Sequence, residues 1–134
     1  MIQKDKELLL RDLCARLQYG IICDDGYGNT LELNGIDNPN IAIFKCFDKT
    51  FWTSDLDKCK PYLLPLSSMT EEQKEEFDQF LEQLLELELK AISDEIDQAQ
   101  VTAFEIDFYN KHHFDWRGLI PMELALDATS KNIY

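Results

Sequence analysis

The chain has 134 residues, 45% of them hydrophobic, and 26 acidic against 13 basic side chains leave a formal charge of −13. That length suits one domain over residues 1–134, and that apolar share supports a core, which argues against wholesale disorder. Such acidity repels nucleic-acid phosphates and anionic lipid, so direct binding to either is not expected.

Residues 4–18 repeat leucines at helical spacing. Leu9, Leu10, Leu13, Cys14 and Leu17 would share one face, and Gly20 offers a stop. From residue 21 the period changes. Asp24-Asp25-Gly26-Tyr27-Gly28-Asn29 has turn composition, and Leu31 and Leu33 then alternate with polar neighbours as in a half-buried strand. Residues 37–40 form a second turn, residues 41–47 a strand, and Asp48-Lys49 a tight connection into residues 50–53. Short turns of this kind allow only antiparallel neighbours, so a meander of three or four strands is predicted. Pro61 and Pro65 hold residues 60–66 extended, across the sheet or along its edge.

Residues 67–73 carry two overlapping helix-start signatures, Thr70 with Gln73 and Ser68 with Glu71. Phe77, Phe80, Leu81, Leu84, Leu85, Leu87, Ala91, Ile92 and Ile96 follow as one broad apolar stripe. A single helix from 71 to about 110 exceeds the ordinary length, so a break is expected between Asp97 and Thr102. A second helix over 102–111 would bury Phe104 and Phe108, and residues 112–118 would turn. The charge is lopsided: residues 1–66 hold ten acids and eight bases, residues 67–134 sixteen and five.

No apolar run approaches the ~20 residues of a membrane span. Residues 1–7 are largely polar and Leu8-Leu9-Leu10 is too short for an export core, so a cytoplasmic protein is expected. Its four thiols, Cys14, Cys23, Cys46 and Cys59, would be reduced, with Cys14 and Cys46 acting as small core residues. The Asp24–Asn29 loop lacks the alternating acids and closing Glu of a calcium loop and reads as a hairpin turn.

His112, His113 and Asp115 are the one cluster with metal or acid–base potential. Adjacent helical side chains point about 100° apart, so two such histidines do not readily share an ion. The simpler expectation places them at a helix C-terminus, with Asp115 and Arg117 pairing locally. Glu72 and Glu76 are helical neighbours on a solvent face, without the burial that would separate their pKa values for catalysis.

Several segments resemble a family of small uncharacterised proteins encoded by gut Bacteroidales and by their phages and mobile elements. They are Leu8-Leu9-Leu10-Arg11-Asp12-Leu13-Cys14-Ala15-Arg16-Leu17, Tyr19-Gly20-Ile21-Ile22-Cys23, residues 60–72 with Lys60-Pro61-Tyr62-Leu63-Leu64-Pro65-Leu66, and residues 113–122 and 124–129 around His113-Phe114-Asp115-Trp116-Arg117-Gly118. Glu123 stands where the family pattern has glycine. The resemblance implies a phage-related or accessory setting and no specific chemistry.

The expected architecture is α+β: an N-terminal helix, a small antiparallel meander, and a helical C-terminal half packed on the sheet. The leading functional reading is a small acidic, non-enzymatic interaction or accessory protein of phage or mobile-element origin. Its partner would be a protein with a basic surface matching Glu72, Glu76, Glu82 and Glu86. One alternative is a small metal-dependent hydrolase centred on His112, His113 and Asp115. Another is a DNA-charge mimic that blocks a DNA-binding protein. No catalytic residue and no cofactor are assigned.

Overall fold

The N-terminal leucine repeat forms helix α1, Gln3–Arg16, which tightens into one 3-10 turn, Leu17–Tyr19, and stops at Gly20 with φ 73°. The computed structural model describes residues 2–38, 40–46, 48–90 and 98–134. The buried face of α1 is Leu9, Asp12, Leu13 and Arg16. This stripe is rotated by about one residue from the all-apolar one, so Cys14 is exposed and not core. Rotation is tolerated because Asp12 and Arg16 sit one helical turn apart and neutralise each other.

Four strands follow as the predicted meander: β1 (Ile22–Asp24), β2 (Thr30–Asp37), β3 (Ile41–Lys45) and β4 (Phe51–Asp55), each antiparallel to the next. The first turn is held by its own aspartates. Asp24 accepts from the Gly26 amide at 2.7 Å, and Asp25 accepts from the amides of Tyr27 and Asn29 and from the Asn29 side chain. Burial raises the Asp25 pKa, but these hydrogen bonds outweigh it and hold the carboxyl below its usual range. A bulge between Leu33 and Gly35 keeps both halves of β2 in register with β3. Cys46 lies just past β3 and is half-buried.

The sheet is larger than the meander. Residues Lys60–Leu63 form β5, antiparallel to β1, and Leu126–Asp127 form β6, parallel to β5. The order is β4-β3-β2-β1-β5-β6, a mixed six-stranded sheet. Pro61 is accommodated opposite Cys23. A bridge from Leu64 to Phe114 continues this parallel side.

The core lies between α1 and one sheet face. It joins Leu9 and Leu13 to Cys23, Leu33 and Phe44, with Leu119, Leu124 and Ala125 from the C-terminal segment. Each fully buried leucine or phenylalanine contributes about 1.5–3 kcal/mol relative to exposure. Helix α2, Glu71–Lys90, starts with the Thr70–Gln73 capping box formed in both directions. Helix α3 spans Gln98–Lys111, four residues earlier than the sequence suggests, because Gln98, Ala99 and Gln100 are good helix formers with no breaker among them. Residues 91–97 and the side chains of Leu84, Leu85 and Leu87 lie outside the described residues, and with them the upper part of the apolar stripe. Helix α3 packs on both α1 and α2. No helix is long and apolar enough to cross a membrane, among the described residues.

Candidate functional site

The end of α3 closes with two reversed hydrogen bonds, His113 N–H to Asn110 C=O and Phe114 N–H to Tyr109 C=O. This is a Schellman cap with His113 in the left-handed position at φ 64°. Such a cap sends the two histidines different ways. The His112 ring lies 4.6 Å from the Phe108 ring, and its Nε2 is 3.6 Å from Glu76 Oε1. The His113 ring stacks on Tyr134 at 3.7 Å and 11°. Burial, then the nearby charges of Arg16 and His112, lower the His113 pKa to about 4.

Asp115 serves neither histidine. Its carboxylate accepts from the Leu119 amide at 2.7 Å and the Ile120 amide at 2.9 Å, which fixes the following loop. Nor does it pair with Arg117 as expected. Arg117 Nε lies 3.2 Å from Asp12 Oδ1, and its guanidinium covers the Trp116 ring at 4.1 Å. The Asp115 oxygens instead accept the Leu119 and Ile120 amides, and Arg117 turns to the fully buried Asp12. Trp116 anchors its ring by donating to Asn110 Oδ1 at 2.8 Å, and Phe114 is fully buried.

The resulting polar junction was not anticipated. Arg16 Nε donates to Asp12 Oδ2 at 2.9 Å, and Arg16 Nη2 donates to Asp12 Oδ1 and to the Phe114 carbonyl at 2.7 Å. Two arginines and one aspartate therefore tie α1 to the segment after α3. The available signal was the i, i+4 spacing of Asp12 and Arg16 beside the leucines. Among the described residues, no group of three or more His, Cys, Asp or Glu is arranged to hold a metal ion.

The acidic candidates lie on α2. Glu72, Glu82 and Glu86 are exposed, and Glu76 is half-buried against His112. Beside them runs an open groove lined by Tyr19, Phe80, Phe104, Asp107, Phe108 and Lys111. Phe80 and Phe104 meet at 5.6 Å, yet remain 37% and 43% exposed. Phe108 is buried as predicted and Phe104 is not. Helical periodicity placed Phe104 on an apolar face, but that face opens on the groove.

Comparison with known proteins finds no matching family model, no matching curated protein and no matching solved structure.

Proposed function

We propose that the chain is a small, non-enzymatic protein-interaction module, an accessory protein of phage or mobile-element background, which binds a basic partner segment at the α2–α3 groove. The observation that carries this reading is the pair Phe80 and Phe104, two large aromatics in contact with each other and open to solvent. Leaving such rings wet forfeits burial energy, and exposed apolar patches with a polar rim mark binding surfaces. The acids on α2 supply a negative rim beside an apolar floor. A partner helix or strand with apolar anchors flanked by lysine or arginine fits that combination. The resemblance of the chain's ends to proteins of Bacteroidales mobile elements supports the accessory setting.

Panning an unbiased displayed-peptide library against the purified protein tests this. Enriched peptides are expected to combine apolar anchors with basic residues. Phe104→Glu should weaken their binding at least tenfold by fluorescence anisotropy, and Glu82→Lys with Glu86→Lys should weaken it less and flatten its salt dependence. Peptides that bind Phe104→Glu as well as the parent would place the interface elsewhere.

A further inference from the structure

Strand β4 is the outermost strand on its side of the sheet, and its only strand partner among the described residues is β3. Its hydrogen-bonding direction can be read residue by residue. The Cys46 amide donates to the Thr50 carbonyl, and the Leu56 amide donates to the Asn40 carbonyl, so both ends of the β3–β4 ladder are hydrogen-bonded pairs. Such pairs alternate along an antiparallel ladder. Trp52 opposite Phe44 and Ser54 opposite Ala42 therefore bond inward, whereas Phe51, Thr53 and Asp55 turn both backbone groups away from β3. All three are exposed, and Phe51 is 61% accessible. No proline interrupts this edge, and no inward-pointing charge blunts it.

The edge is also polarised along its length. At the turn end stand Lys45, paired with Phe51, and Lys49. At the other end stand Asp55, its neighbour across Ile41, Asp37, and then Asp57. Two further charges lessen this polarity without removing it, an acid among the lysines and a lysine among the acids. Asp48 accepts from Thr50, and Lys58 donates to Tyr27 Oη at 3.1 Å while lying 3.9 Å from Asp55. An edge with a basic end and an acidic end is complementary to itself when a second copy runs antiparallel.

We propose that two copies of the chain join through β4, antiparallel about a two-fold axis at Thr53. Thr53 then faces Thr53 of the second copy, Phe51 faces Asp55, and Lys49 approaches Asp57. This register uses all three outward-facing residues, each facing pair exchanging two hydrogen bonds; the Asp55 carbonyl, which already accepts from Cys59 Sγ at 3.3 Å, uses its second lone pair. The opposing effect is net charge. The excess acids lie mostly in residues 67–134, outside this strand, and charges more than ~8–10 Å apart are largely screened at physiological salt. Self-pairing should therefore strengthen from low to moderate salt and leave the α2–α3 groove free for another partner.

Sedimentation velocity over a concentration series, at about 10 mM and about 150 mM salt, is the test. The expected result is a concentration-dependent rise from one chain mass of 15.7 kDa toward twice that mass, larger at the higher salt. Thr53→Pro removes only an outward donor, a place where an edge strand accepts proline, and should abolish the dimer. Lys49→Glu should weaken it about tenfold, and Lys49→Glu with Asp57→Lys should restore it, which keeps the test decisive where the proline variant does not fold. A chain that stays monomeric throughout, or a dimer indifferent to both the Thr53 and the Lys49 changes, overturns the proposal. So does a monomer that instead captures an added extended peptide along β4.

Discussion

Helices α1 and α2 both read as amphipathic in sequence and meet different surroundings. Helix α1 buries Leu9 and Leu13 together with a charged pair, Asp12 and Arg16, all inaccessible to solvent. Helix α2 leaves Phe80 exposed and Phe77 and Leu81 only half-buried, and Glu72, Glu82 and Glu86 face water. Helix α1 thus buries polar chemistry, and α2 displays aromatic surface at Phe80 among its described side chains. Periodicity identifies the face of a helix, whereas what that face meets depends on distant segments, here Leu119 and Leu124 for α1 and α3 for α2.

The strongest way to break this contrast is to remove the carboxylate of α1. Asp12→Ala strands Arg16 in the interior and should cost about 3–5 kcal/mol in urea denaturation. Replacing Asp12 by Leu together with Arg16 by Met should recover most of that loss, because a buried ion pair is often matched by apolar side chains. A small effect of Asp12→Ala would show that the pair is solvated in solution.

Next in size is the leucine comparison. Leu13→Ala should cost about 2–5 kcal/mol, the range for a fully buried site. Leu81→Ala, at a half-buried site, should cost nearer ~1 kcal/mol. Equal shifts in the denaturation midpoint would mean that α2 is as well packed as α1.

The cap that ends α3 titrates. In the fold His113 has its pKa lowered from 6.5 to about 4, so between those values the unfolded chain binds more protons than the native one. Stability contributed by neutral His113 is therefore complete above about pH 6.5 and declines as the pH falls toward 4. The loss should be on the order of 1–2 kcal/mol after allowance for partial solvent access. His113→Gln should flatten the stability profile in that window, and an unchanged profile would assign the acid sensitivity to carboxylates instead.

The smallest effect sharpens the comparison at the loop that seats on α1. Glu123 adopts φ 62°, a left-handed conformation in which glycine is relaxed and a Cβ is not. Glu123→Gly should stabilise the chain by about 0.5–1 kcal/mol, read as a higher thermal midpoint.

Much of the fold was legible because local physics decided it. Gly20 ends α1, the Thr70–Gln73 box starts α2, and the Asp24 and Asp25 carboxylates hold the first turn by accepting from the amides of Gly26, Tyr27 and Asn29. What could not be read was non-local. Strand β6 is two residues long, too short for any period, and it pairs with β5 only because the chain returns from the far side of α3. The buried pairing of Asp12 and Arg16 could not be read, because no local pattern reveals the Phe114 carbonyl and Arg117 that receive them. The histidine cluster was correctly located at a helix end, but the cap that separates its members depends on a left-handed His113 that composition does not announce. The groove was hidden in a stripe whose aromatics read as core.

One bond has a consequence for how the chain is made. The Ile22 amide donates to the Tyr134 hydroxyl at 3.0 Å, and that hydroxyl donates to the Tyr62 carbonyl at 2.8 Å, so one phenol fastens β1 to β5 where their own ladder ends. Ile22 and Tyr134 are 112 residues apart in sequence. On a ribosome, β1 emerges early and waits for that phenol, for β6 and for Leu119 before its side of the sheet closes. At roughly 5–20 residues per second that interval lasts several seconds or more. During it β1 can pair with β2 and β5 while the outer edge of β5 stays open for β6, an interval in which a chaperone or a second nascent chain could reach it.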